Sequence, residues 1–384
     1  MSGPDRYISH APFDPVHDEV LTPAQEKYYL ASQWRLMFWR LRRHKLAMAS
    51  LWFLGFIYLV MIFAEPLSPY NPNTRHIDNI HAPPQTVHLF HNGEFVGPFV
   101  YGTRYALNMD TLTRTYSEDR VRPLPIGFFC SGEPYRLWGL IPMDIRLVCP
   151  PKGGTLFLLG TDRLGRDMLS RVIEGARISL TVGLIGITIS FALGILFGGL
   201  SGYYGGWVDA GIQRLIEVIR SFPELPLWMA LSAAMPVTWH PLWLFIGITV
   251  ILGLLDWTGL ARAVRSKLLA LREEDYATAA VVMGARPRRV ILRHLLPNFM
   301  SHLIVSATLT IPAMILGETA LSFLGLGVRA PLISWGVLLN DAQDINVVTQ
   351  YPWLLLPVVP VVLTVLAFNF LGDGLRDAAD PYQT

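Results

Sequence analysis

The sequence predicts an all-α polytopic membrane protein, with six transmembrane helices and an external insert between helices 1 and 2. Three observations predict it. Of the 384 residues, 52% are hydrophobic and only 16% are charged, against about 25% charged in an ordinary soluble domain. The apolar residues are gathered into long uncharged blocks, which is how a bilayer selects sequence. Counting those blocks as spans places the arginine-rich segments on one side of the membrane. The net charge of +2 is too small to suggest nucleic acid as a partner, and membrane lipid is the expected surrounding.

A helix crossing the hydrocarbon core needs about 20 apolar residues, each rising about 1.5 Å. Leu46–Phe63 is the first such block. It follows Arg40-Leu41-Arg42-Arg43-His44-Lys45, a basic cluster that should stay in the cytoplasm, so this span runs outward. The next uncharged run is Ile178–Trp207. Leu225–Leu255 is uncharged as well, but Met235-Pro236-Val237 and His240-Pro241 divide it. It supplies the end of span three (residues 214–235) and most of span four (242–258). Span three must then take in Glu217, Arg220 or Glu224. Leu303–Leu316 lies inside span five, and Trp353–Leu371 is span six.

Six spans place both termini inside. The loop 259–298 checks this independently, because Arg262, Arg265, Lys267, Arg272, Arg286, Arg288, Arg289 and Arg293 outweigh Glu273, Glu274 and Asp275. Such a surplus belongs in the cytoplasm. The chain divides into a cytoplasmic segment 1–45, a transmembrane helix 46–64, an external insert 65–177 and a five-helix core 178–384.

The insert mixes both charge signs with many prolines and scattered aromatics, which suits a small lobe of short strands and turns. It holds both cysteines, Cys130 and Cys149. In an oxidising compartment they can pair, and closing a loop of ~20 residues contributes on the order of 3 kcal/mol. Otherwise they are two small apolar side chains. His76, His81, His88 and His91 match no common ligand spacing, so they are expected to be loop polar groups and no metal is expected.

Span two carries Gly186, Ser190, Gly194, Gly198, Gly202 and Gly206, a small residue at every fourth position. That spacing lines one helix face and lets backbones approach closely. The last two glycines either extend the stripe or belong to the turn Gly202-Tyr203-Tyr204-Gly205-Gly206. Charges in or near spans are costly and therefore candidates for function. Asp256 is expected at the hydrated end of span four. Glu318, near the external end of span five, is either a structural hydrogen-bonding group or a place on a solute path.

In the basic loop, Glu273 to Met283 reads as a short helix. Glu274 and Asp275 suit the positive end of its dipole, and Gly284 suits a left-handed cap. Pro287 fits the first turn of a second helix, which runs through Leu296 to Pro297. Small residues on one helix and arginines on the next make a docking surface for a protein.

Ala279-Ala280, Gly284 and Leu296-Pro297 stand at the spacing of the "EAA" loop, and the chain resembles ABC importer permeases on these residues. Thr278 and His294 depart from the general pattern in the way usual for the peptide branch. Gly160-Thr161-Asp162-Arg163-Leu164-Gly165-Arg166-Asp167, then Ser170-Arg171 and Gly175-Ala176-Arg177, resembles the segment before span two in dipeptide/oligopeptide permeases of the C type. Gly202-Tyr203-Tyr204-Gly205-Gly206 with Asp209, and Leu321-Ser322-Phe323-Leu324-Gly325-Leu326-Gly327, match the same branch. The resemblance covers the N-terminal anchor and everything from about residue 155 onward. It implies a type I ABC importer core, a homologous permease partner, two ATP-binding cassette subunits and a periplasmic solute-binding protein. It also implies that the loop 259–298 couples ATP hydrolysis by those subunits to the membrane helices. The expected solute is a peptide. Long inserts also occur in relatives that import oligosaccharides such as α-galactosides, which makes sugar the alternative.

No enzyme is expected. Lys27, Lys45, Lys152 and Lys267 follow Glu, His, Pro and Ser, so the glycine-lysine end of a phosphate-binding loop is missing. Any ATP is therefore used by a partner, and this chain is expected to bind no cofactor. Gly325-Leu326-Gly327-Val328-Arg329-Ala330 follows a span, not a strand of a βαβ unit, which excludes a dinucleotide site. A stand-alone secondary transporter would need mid-membrane carboxylates and no docking loop.

Overall fold

The computed structural model describes residues 30–107, 109, 114–236 and 238–379. Most of the segment 1–45 and Val237, one of the residues dividing the predicted spans three and four, lie outside them. The helices are α1 (Gln33–Arg43), α2 (Lys45–Ile62), α3 (Met168–Tyr204), α4 (Gly206–Arg220), α5 (Glu224–Ala233), α6 (Pro241–Leu271), α7 (Asp275–Val282), α8 (Met300–Phe323) and α9 (Val358–Ala379), with shorter turns between them.

Among the described residues, five helical runs are long and apolar enough to cross a membrane: Lys45–Ile62, Met168–Tyr204, Pro241–Leu271, Pro287–Phe323 and Pro352–Ala379. The single continuous span three is corrected. Its residues form α4 and α5, of 15 and 10 residues, parted at Ser221-Phe222-Pro223. Pro223 has no N–H to continue the ladder and disfavours helical geometry at Phe222. The other helices outrun their uncharged blocks. α3 begins at Met168, ten residues before the predicted Ile178, and α6 runs on to Leu271 instead of ending at 258. A charge-free run marks only the part of a helix that must face hydrocarbon. Beyond it, ion-paired or hydrated arginines let the helix continue, which shortens the insert and the basic loop.

The small-residue stripe forms the tightest seam of the bundle, between α3 and α6. Gly194 lies on Leu260, Gly198 on Ala261 and Val264, and Gly202 on Arg265 and Leu268; Gly253 of α6 in turn approaches the Gly186 carbonyl. Close backbone approach of this kind is a main source of helix association in lipid. Gly206 leaves the stripe and opens α4. On the other side of α3, Leu180, Ile315, Phe368, Leu54 and Met61 bring α8, α9 and α2 into one core around Trp335.

The insert is a three-stranded antiparallel sheet, β1 (His88–His91), β2 (Glu94–Leu107) and β3 (Arg114–Pro125), followed by a hairpin, β4 (Gly127–Leu137) and β5 (Ile141–Cys149). Cys130 and Cys149 form a disulfide across the hairpin, with Cα atoms 6.4 Å apart. The hairpin docks on the end of α2. Trp138 donates its backbone N–H to Glu65 (2.9 Å) and its indole N–H to the Ile62 carbonyl (3.0 Å). The Arg177 guanidinium lies 4.4 Å from the Trp138 ring and donates to Glu65 (2.7 Å). Burial would raise the Glu65 carboxyl, but the bonds from Arg177 and Trp138 hold it below the usual value.

Candidate functional site

The basic loop builds its surface from α7. Glu274 is the N-cap and Asp275 opens the first turn, so negative charge meets the positive helix end. At the other end the Gly284 N–H donates to the Val281 carbonyl (2.9 Å) and the Ala285 N–H to the Ala280 carbonyl (3.0 Å). These are the paired bonds of a Schellman cap, closed by Gly284 at φ +82°. A Cβ at Gly284 would meet nothing within 4 Å, so the backbone conformation alone calls for glycine.

The cap decides which side chains face outward. Ala277 and Ala280 are buried, whereas Ala279, Val281, Val282 and Met283 are exposed, Val282 by 87% and Met283 by 81%. Exposed Arg286, Arg288, Arg289 and Arg293 follow in the chain. An apolar tip followed by basic side chains suits a partner with an apolar groove and an acidic rim.

Behind the tip, the loop is joined to the bundle. Ala277 packs with Val290, Leu295, Leu296, Phe299, Leu303, Val264 and Leu268. The Asn298 amide donates to the Tyr276 hydroxyl (2.7 Å) and the His294 carbonyl (3.0 Å). The predicted second helix does not stop at Pro297. It passes through a π-helical turn, Val290–Leu295, and a 3-10 turn, Leu296–Phe299, straight into α8. Pro297 cannot donate to the Arg293 carbonyl, and the ladder changes pitch around it. Leu296 is buried and Pro297 exposed. Arg265 of α6 pairs with Asp209 of α4, whose other neighbours are Ser201 and, beyond it, Gln213.

The motif before α3 is a knot of buried polar groups. Asp162 Oδ1 accepts the N–H groups of Leu164 (2.8 Å) and Arg166 (2.9 Å). Its Oδ2 accepts from the Arg166 side chain (2.7 Å) and from Arg171, a guanidinium only 2% exposed. Asp341 approaches Arg171 and pairs with Arg163 (3.0 Å). Asp167 caps α3 by accepting the Ser170 N–H (2.8 Å) and hydroxyl (2.6 Å). Burial pushes its carboxyl up to about 6, against the pull of those Ser170 bonds.

Around this centre, Thr161 exchanges backbone and side-chain bonds with Ala82 and its carbonyl accepts the Trp353 indole N–H. A Cβ at Gly165 would collide with the His76 carbonyl, and one at Gly160 with Ala82 and Trp353. The motif therefore ties the insert, α3 and the segment before α9 together. Burial also pushes His76 and His81 below the usual imidazole value; His76 packs on Tyr70 and Phe157, and His81 stacks on Tyr351.

Glu318, expected as either a structural hydrogen-bonding group or a place on a solute path, has the surroundings of the first. It is fully buried within this one chain and accepts from Ser179 of α3 (3.0 Å) and Ser322 (2.6 Å). The partners of Arg171 and Arg177 were missed from sequence. Two arginines at the start of a span do signal carboxylates nearby, but Glu65 and Asp341 stand too far off in the chain to be picked out.

Residues 194–383 match the family described as the binding-protein-dependent transport system inner membrane component, and residues 32–84 the N-terminal transmembrane domain of oligopeptide transport permease C. The chain is 42% identical over 233 residues to the dipeptide transport system permease protein DppC of Bacillus subtilis, covering 60% of this chain and 70% of that one. It is 44% identical over 223 residues to the oligopeptide transport system permease protein OppC of Haemophilus influenzae, covering 58% and 69%. An inward-facing structure of the MetNI methionine ABC transporter is similar over 55% of this chain and 97% of its own, at 18% identity and a TM-score of 0.44.

Proposed function

The chain belongs to the binding-protein-dependent inner-membrane permeases, in the dipeptide and oligopeptide branch, and from that premise we propose that it forms half of the translocation path of a peptide importer. A homologous permease supplies the other half, two ATPase subunits dock on the basic loops, and a periplasmic binding protein delivers the solute. This chain carries no ATPase site of its own. Its termini are cytoplasmic and its insert periplasmic. α4 and α5 together make the third of six spans, bent at Pro223.

The observation that carries the coupling role is the apolar tip of α7, held outward by the Gly284 cap and joined through its buried alanines to α6 and α8. A push on Val282 and Met283 passes through Ala277 into the packing of Val264, Leu268 and Leu303 without crossing a flexible linker. Closure of the ATPases moves this unit and opens the path outward; ATP release or hydrolysis returns it. The names of the relatives, dipeptide and oligopeptide permeases, support peptide as the solute.

The test is uptake in cells lacking this subunit, comparing labelled short peptides with labelled oligosaccharides. Loss of peptide uptake alone is the expected result. Loss of sugar uptake alone keeps the machine and overturns the solute.

A further inference from the structure

Three ionisable groups meet where the third span breaks. Arg220 ends α4, Glu224 opens α5 after Pro223, and Asp256 lies across from them on α6. They line one cavity of about 120 Å³ together with Trp228, Thr258 and Leu227. Asp256 is six residues from Arg262 along α6, about 9 Å at helical rise. It lies within α6, which runs on to Leu271, and not at the helix end expected from the sequence.

Arg220 donates to the Thr258 hydroxyl (3.0 Å) and its guanidinium passes over Gly259. Among the described residues, neither the Glu224 nor the Asp256 carboxylate has a hydrogen bond or an ion pair within 4 Å. Arg220 and Glu224 are exposed in the single chain. The Trp228 indole N–H is buried without a partner, its ring seated against Gly317 beside Glu318. Hydrocarbon does not tolerate exposed charges at this depth, so this face does not lie against lipid. Unlike Glu318, whose bonds are all made within the chain, these groups are left with unused donors and acceptors.

We propose that Arg220, Glu224, Asp256 and Trp228 form a contact site in the path for the end of a zwitterionic solute, an unblocked peptide. The two carboxylates take the α-ammonium, and Arg220 with the indole N–H takes a main-chain carbonyl or carboxylate. The part of the cavity within this chain, about 120 Å³, matches a chain end, so recognition is of the backbone. This deepens the peptide reading and rests on it.

The test uses the assembled importer in proteoliposomes with its binding protein. Both native cysteines are bonded to each other, so Leu227→Cys adds the one free thiol of this chain. A charged, membrane-impermeant thiol reagent should modify it during turnover, and saturating Ala-Ala-Ala should slow that reaction at least fivefold. Val362→Cys on α9 should show no such protection. The double variant Glu224→Gln, Asp256→Asn should lower peptide uptake at least tenfold and abolish the protection of Leu227→Cys. If wild type imports the peptide yet Leu227→Cys is unreactive or unprotected, this inference fails and the importer reading stands. If wild type imports no peptide, both fail.

Discussion

Around Asp162 the chain gathers two backbone N–H groups and two guanidinium groups onto one buried carboxylate. Around Val282, near the far ends of α6 and α8, it leaves three apolar side chains facing outward. The first region spends its polar chemistry internally and joins segments distant in sequence. The second stays open and is held by a backbone cap. On the proposed coupling role, the first region is the fixed frame for the helices and the second the surface where force enters.

The largest effect should come from breaking the frame. Asp162→Ala leaves Arg171 buried without its main partner, and losing one member of a buried pair costs about 3–5 kcal/mol. The purified protein in detergent should melt on the order of 10 °C lower. Val282→Ala, which removes exposed surface, should leave the melting midpoint within about 1 °C. Equal shifts for the two variants would erase the distinction between frame and tip.

The next effect is on function and should leave the fold intact. Gly284→Val places a β-branched residue at φ +82°, which costs about 1–2 kcal/mol and displaces the cap. Peptide uptake should drop at least tenfold while the subunit stays in the membrane at normal abundance. Asparagine tolerates this conformation, so Gly284→Asn should keep most of the uptake. Equal loss in both variants would point to contact with the glycine itself and not to the turn.

A smaller effect is expected at the tip. Burying a valine side chain in a partner's groove contributes about 1.5–3 kcal/mol, so Val282→Asp should weaken capture of the ATPase subunits by about tenfold or more. Co-purification from membranes reads this directly, and undiminished recovery would move the docking surface away from α7.

The same contrast explains what could be read from sequence. The tip was legible because its signals are local: an acidic first turn, two alanines, a glycine and a proline within a few turns of each other. So was the glycine stripe, since period four needs no partner to be seen. The frame was not legible. Asp162 was noticed only as part of a motif, because its meaning lies in Arg171 and Asp341, and Glu65 and Arg177 are 112 residues apart. Span three misled for a different reason: charge spacing locates a span but does not reveal a break, and Pro223 was visible without being weighed. Glu318 stood between two readings because a buried charge suits either; its bonds from Ser179 and Ser322, 139 and 4 residues away, are what the sequence does not display.

The finest test of the frame is its pH dependence. Asp167 keeps its proton up to about pH 6 in the folded protein, against an ordinary value of 3.8. Between those values the folded state binds more protons than the unfolded state, so this group's contribution to stability falls as pH rises, and the loss is complete above about 6. From pH 5 to 7 it amounts to about 1 kcal/mol. One Asp167 oxygen, Oδ1, is buried without a partner, which is where that proton sits most easily. Asp167→Asn keeps an acceptor for the Ser170 N–H and cannot ionise. Its melting midpoint should fall less between pH 5 and 7 than that of wild type, by a few degrees. Val282→Asp, at the hydrated tip, should track wild type over the same range. Parallel curves for wild type and Asp167→Asn would mean that the cap carboxylate is ionised throughout, held by the helix dipole against its burial.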